Sequence, residues 1–236
     1  MKITSLLASL FFASAFSSAS ALTFAFSETD PVPGPSDAYN FSGAANDASN
    51  VNDGGFYPDG QANDRFTYVA GDRPNQGQTF TTGSHSKGYI INAIWVRHVG
   101  YTNNAAPTFW EINPGGKITV RVTDPIFGGS DHFVLHAETY YATGKEGWAN
   151  THTSKNGSGI WLKFTFSKPV VLSPDKTYGF DLSSPGHVVF EWLGTCDSDA
   201  YIGGGAYNGN TPGVPDSGLN GLKGDRVFLV ELAECN

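Results

Sequence analysis

IWLKFTFSKPVVLSPDKTYGFDL, residues 160 to 182, sets two alternating runs on either side of a Ser-Pro-Asp-Lys turn. In the first, Ile160, Leu162, Phe164 and Phe166 fall on one face and Lys163, Thr165 and Ser167 on the other. In the second, Tyr178, Phe180 and Leu182 oppose Asp181. Residues that exchange character at every step scatter around a helix of period 3.6 but separate cleanly across a pleated strand. The stretch therefore reads as two half-buried strands joined by a tight connection.

The same period extends in both directions. KITVRVTD (117 to 124) turns Ile118, Val120 and Val122 one way and Lys117, Thr119, Arg121 and Thr123 the other. Further strands are predicted at 89–99, 132–142, 187–193 and 226–232, all bounded by Gly, Pro, Asn or Asp clusters. No stretch joins a sustained helical period to capping residues. Several short strands without intervening helices predict an all-β fold, an antiparallel β-sandwich of the jelly-roll kind, over residues 78–236. Residues 22–77 contain DPVPGPSDAYNFSGAANDASNVNDGG and read as a loop-rich leader wrapping that fold. Within it, Leu22 to Phe26 and Phe66 to Val69 are short enough and apolar enough to add strands. Trp95 and Trp161 lie opposite the inward residues of their strands, which places them on an exposed face or beneath the leader.

Residues 1–21 carry Lys2, an apolar run from Ile3 to Phe16, and Ala19-Ser20-Ala21 as a cleavage signature, the pattern of a secretory signal peptide. The run is too short and serine-rich to span a bilayer, and no later stretch approaches twenty apolar residues, so no membrane span is expected. The expected product is a secreted, extracellular monomer. Loss of Lys2 leaves 13 cations against 22 carboxylates, a balance that repels phosphate backbones and argues against a nucleic-acid partner. Cys196 and Cys235 are the only cysteines. In an oxidising compartment they are expected to form a disulfide worth about 4 kcal/mol in the chain-entropy model. Asn40-Phe41-Ser42 and Asn156-Gly157-Ser158 are sequons for glycosylation in a eukaryotic host.

One resemblance emerges from this order. Gly77-Gln78-Thr79-Phe80, Gly88-Tyr89, Ile94, Val96 and the strand from Ile118 to Val122 precede a hairpin carried by Phe166, Pro169, Val170, Leu172, Pro174, Tyr178 and Phe180. Over residues 76 to 232 the chain resembles the secreted jelly-roll modules of bacterial and fungal extracellular proteins, many of them similar in shape to carbohydrate-binding modules. The resemblance implies a fold. Its matched positions are core and turn residues, so it transfers no catalytic role.

The stretch GTCDSDAYIGGGAYNGN (194 to 210) concentrates the candidate chemistry. Gly203-Gly204-Gly205 lacks the Lys-Ser or Lys-Thr of a phosphate-binding loop. Asp197 and Asp199, with Asp216 and Asp225 downstream, offer oxygen ligands of the type calcium takes. Their spacing fits no EF-hand, and turn residues bonding the local backbone are the favoured account of them. His132, His136 and Glu138 share a face. Residues four apart on a strand are about 13 Å apart, however, too far for one ion, and Phe133 occupies the Glu position of the HExxH pattern. No GxSxG elbow is present.

Three functions fit what remains. The preferred one is a noncatalytic protein binding an extracellular polysaccharide or cell-wall polymer, without a cofactor unless calcium. Its ligand-binding residues are Trp110, Trp148, Trp192, Tyr207, Asn208 and Arg226, because sugars stack their C–H faces on rings and bond fixed polar groups. Tyr201, Asp197, Asp199 and Asp225 adjoin that set. The second is a polysaccharide lyase or glycoside hydrolase, with the pairs Glu138/Glu191 or Asp181/Glu191, or a lyase set of Tyr140, Tyr141, His136 and Arg97. The third is a structural or host-interaction protein of an extracellular matrix.

Overall fold

A computed structural model of the chain describes residues 21–42, 44–51, 75–98, 111–112, 116–124, 133–143, 160–183, 188–194, 200–209 and 224–236. Among them every regular element is a strand. In chain order these are β1 (Thr23–Ser27), β2 (Ala38–Asn40), β3 (Ala44–Val51), β4 (Asn75–Thr81), β5 (Tyr89–His98), β6 (Glu111–Ile112) and β7 (Lys117–Asp124). They continue with β8 (Phe133–Tyr141), β9 (Ile160–Leu172), β10 (Thr177–Ser183), β11 (Val188–Gly194), β12 (Ala206–Gly209) and β13 (Phe228–Glu234). Two antiparallel sheets result, as the alternation predicts. The larger runs β1-β9-β5-β11-β3, with β13 paired to β5 and β2 and β6 to β11; the smaller runs β12-β4-β10-β7-β8.

The core is where the two inner faces meet. Ile94 and Val96 of β5, Leu162 and Phe164 of β9, and Phe228 and Val230 of β13 come from the larger sheet; Phe80, Ile118, Val120, Val122, Phe180 and Leu182 come from the smaller. All are fully buried. Phe180 is the centre, its ring 5.6 Å from Trp192, 5.7 Å from Phe228 and 6.3 Å from Phe80. Successive strands from β9 onward pass from one sheet to the other, so each connection also closes the sandwich. The β9–β10 connection shows how: the Thr82 hydroxyl donates to the carbonyls of Ser173 (2.8 Å) and Lys176 (3.1 Å), and the Ser173 amide donates to the Tyr178 hydroxyl (2.8 Å). Asp175 takes φ 50° there, a conformation that Asp tolerates better than most side chains. Pro169 is accommodated inside β9 because Thr165 faces Ala93 and Val170 faces Ile91, leaving Phe166 to Pro169 outside the regular ladder.

The described part of the 22–77 segment contains three strands. β1 pairs with β9, as Leu22 to Phe26 predicts, but β2 and β3 also join the larger sheet. β3 reads AANDASNV and pairs with β11 through its backbone, a bond type that composition does not reveal. Between β1 and β2 the chain crosses the outer face of the same sheet. There Trp161 is fully buried, with Nε1 donating to Asp30 Oδ1 (2.7 Å), the Phe41 ring edge-on at 5.1 Å and the Arg97 guanidinium 5.7 Å from the ring centre. Trp161 thus packs beneath the leader, one of the two placements its parity allowed. Residues 66–69 lie outside the described residues.

Candidate functional site

The triple glycine of 194–210 serves a close approach between backbones. A Cβ on Gly204 would collide with the Thr79 carbonyl of β4, and one on Gly203 would sit 2.6 Å from the Tyr201 ring. With no side chains there, the segment lies flat on β4. The Thr79 amide donates to Gly205 O (2.9 Å), the Gly205 amide to Thr79 Oγ1 (2.8 Å), and the Thr81 hydroxyl to Gly203 O (2.7 Å). That strap holds Tyr201 in place. Its amide donates to Asp225 Oδ2 (2.8 Å), its ring meets Phe228 edge-on at 5.2 Å, and its hydroxyl accepts the Thr81 amide at 3.4 Å. Burial pushes the Tyr201 phenol up, and the nearby Asp225 charge adds to this, so the hydroxyl stays protonated in neutral solution and remains a donor.

Tyr201 forms one wall of a groove of about 460 Å³ at the end of the sandwich. The opposite side is the 35–39 segment leading into β2; Thr81, Thr82, Gly83 and Ser84 continue β4 along it, and Tyr89 and Glu234 complete the lining. The components are fixed from behind. Asp37 accepts the Gly34 amide and the Leu232 amide, both at 2.7 Å, and the Tyr89 hydroxyl accepts the His85 amide at 3.0 Å. Glu234 accepts the Ser36 hydroxyl at 3.1 Å, while its side chain stays half exposed. Tyr39 is 46 % exposed beside Phe41, ring centres 5.2 Å apart. A ring, hydroxyls and two carboxylates around an open groove form the composition expected of a site for a polyhydroxylated ligand.

Three residues expected to bind ligand are interior. Trp192 is fully buried, its Nε1 donating to Val227 O at 2.8 Å, as its shared parity with the core strand positions allows. Arg226 is buried with Nη2 donating to Gln76 Oε1 (2.7 Å) and its guanidinium 5.7 Å from the centre of the Trp192 ring. Tyr207 turns from β12 across Gly77 and Gly179, where any Cβ would strike its ring or hydroxyl, and donates to the buried Asp181 Oδ2 at 3.2 Å. Burial, then the Asp181 charge, raise this phenol well above its ordinary range. Neither ring nor the guanidinium is available to a guest molecule.

Asn40 is also buried, donating to Ser42 O (3.1 Å) and Arg226 O (3.0 Å), so in the folded chain its side chain is closed to a glycan. Trp110, Trp148, Asp197, Asp199, Asn156 and Cys196 lie outside the described residues, as does the side chain of Asn208 in β12. Cys235 is free among the described residues. The expected bridge has its other end, Cys196, outside the described residues.

The lyase set does not assemble, and the side chain of Glu191, common to both carboxylate pairs, lies outside the described residues. Arg97 lies beneath the leader beside Trp161, whereas His136 and Tyr140 lie on β8 in the other sheet. Glu138 accepts His136 Nε2 (2.7 Å) and the Ser167 hydroxyl (2.9 Å) on one oxygen and the Ser167 amide (2.9 Å) on the other, which ties β8 to β9. Asp181 is occupied by Arg121 and Tyr207, and no His, Cys, Asp and Glu grouping among the described residues suits a metal ion. Burial alone would push the Glu138 carboxyl up. The bonds from Ser167 and His136 outweigh it and hold the carboxyl below its usual range. Its contribution is therefore complete above the unfolded value and is lost as pH falls through the lower native one. Glu138→Gln is expected to cost about 1–3 kcal/mol at neutral pH and to flatten the acid limb of stability, read from urea midpoints at neutral and acid pH.

Tyr39, Ser36 and Glu234 had no distinguishing signal in the sequence. Tyr201 did, as the aromatic immediately before the glycines. No protein-family model, curated protein or solved structure matches the chain.

Proposed function

We propose that this is a secreted, noncatalytic β-sandwich that binds an extracellular polysaccharide in the groove between Tyr201 and the segment entering β2. The secretory pattern of residues 1–21 supports the compartment. The observation that carries the binding role is the groove itself: about 460 Å³, open, and walled by Tyr201 and the 35–39 segment, with Ser36, Thr81, Ser84 and Glu234 around them. A sugar presents an apolar ring face and several hydroxyls at once, and a pocket of mixed rings and short polar groups complements both. The ligand-facing ring thus moves from Trp192 and Tyr207 to Tyr201, while the Tyr39 ring lies with Phe41 on the outer face of the larger sheet.

Retention of the purified protein on a panel of insoluble glycans, followed by titration with the matching oligosaccharide, tests the proposal. Tyr201→Ala is expected to weaken binding about tenfold, which is roughly 1.4 kcal/mol. Tyr39→Ala, which removes a half-exposed ring from the outer face of the sheet, should keep wild-type affinity and serves as the control. Folded wild-type protein that ignores every glycan in the panel sinks the proposal.

A further inference from the structure

We infer that the groove selects a glycan bearing positively charged amines, a partly deacetylated amino-sugar polymer, over neutral or anionic glycans. This rests on the groove being the sugar site. Among the described residues the lining contains no lysine or arginine, but it contains two carboxylates, Asp37 and Glu234. They are not equivalent. Asp37 has both oxygens committed to backbone amides, Oδ2 to Gly34 and Oδ1 to Leu232. Glu234 receives one hydroxyl, from Ser36 on Oε1, and its side chain is 53 % exposed. Oε2 faces His85 Nε2 at 3.8 Å, beyond hydrogen-bonding distance.

The Glu234 carboxylate can therefore accept another charged donor without breaking any bond that holds the fold. An ammonium on a sugar bound against Tyr201 suits it, because a hydrogen bond between two ionised groups is about twice as strong as a neutral one. A uronate or sulfate at the same place would meet the field of two carboxylates with no lysine or arginine to offset it, on a chain whose formal net charge is already −8. His85, when protonated, competes with the ligand for the same oxygen. Its removal is expected to sharpen the preference.

The experiment titrates wild type, Glu234→Gln and His85→Ala with three oligosaccharides of equal length: glucosamine, N-acetylglucosamine and a uronate. The buffer is mildly acidic and low in salt. Wild type should bind the amine oligomer about tenfold more tightly than the acetylated one, and the uronate least. Glu234→Gln keeps the Ser36 bond and should bring amine and acetylated oligomers to equal affinity. Salt of about 0.2 M should shrink the amine preference in wild type alone. Equal binding of amine and acetylated oligomers by wild type overturns the inference and leaves the groove as a sugar site. A preference that survives in Glu234→Gln also overturns it. Failure of all three to bind removes both the groove assignment and this one.

Discussion

Asp181→Ala is expected to lower folding stability by about 3 kcal/mol or more, the range seen when one member of a buried ion pair is removed. Asp181 is fully buried on the outer face of the smaller sheet. It receives Arg121 Nε at 2.7 Å and Nη2 at 3.0 Å in a two-pronged pairing, and the Tyr207 hydroxyl at 3.2 Å. Without the carboxylate, a guanidinium whose side chain is only 16 % exposed loses a two-pronged charged partner, and a buried phenol loses an acceptor. The residual exposure of Arg121 lets water offset part of this, which sets the expectation at the lower end of the range. For a chain of this size the melting temperature should fall by roughly 6–12 °C. Arg121→Met/Asp181→Leu should be less damaging than the single change, since it removes the orphaned charge as well. A urea midpoint for Asp181→Ala equal to that of wild type would show that the pair contributes nothing.

Trp192→Ala has the second large effect, about 3–5 kcal/mol. The indole fills the space between Phe180 of the facing sheet and Arg226, and it satisfies the Val227 carbonyl. Truncation opens a cavity that neighbouring strands cannot close without breaking register, and it leaves that carbonyl and the guanidinium facing the void. Trp192→Phe retains most of the volume and should lose only the carbonyl bond, about 1 kcal/mol. Chemical denaturation measures both. Glycan affinity of the fraction that remains folded should match wild type, in contrast to Tyr201→Ala. A Trp192→Ala protein of unchanged stability but lost affinity would return the indole to the binding surface.

The contrast between these two residues and the groove shows what the order of amino acids reveals. Strands with an apolar residue at every second position, such as β7, β9 and β10, announce themselves because burial acts on each residue independently of its partner. Trp192 shares its parity with core neighbours, so its burial could be read. Tyr207 could not be read in this way: it is buried by lying over Gly77 and Gly179, which are a hundred residues apart, and only the pairing of β12 with β4 and β4 with β10 brings them side by side. β3 was hidden because backbone hydrogen bonds recruit it and carry no side-chain signature. The groove was least visible. Ser36 and Glu234 meet across 198 residues, and neither has a local pattern that marks it.

The outermost segments of the chain depend on one another. Thr23 lies opposite Thr165, and Asn40 lies opposite Phe228, on a strand that ends two residues before the C-terminus. β13 is inserted between β2 and β5, so neither the early strand nor the sheet's middle is finished until the last strand arrives. Pairings this distant in sequence slow the search for the native state. A chain emerging from a ribosome or a translocation pore can pair β1 once β9 has been made, whereas β2 waits for β13, so the larger sheet closes late.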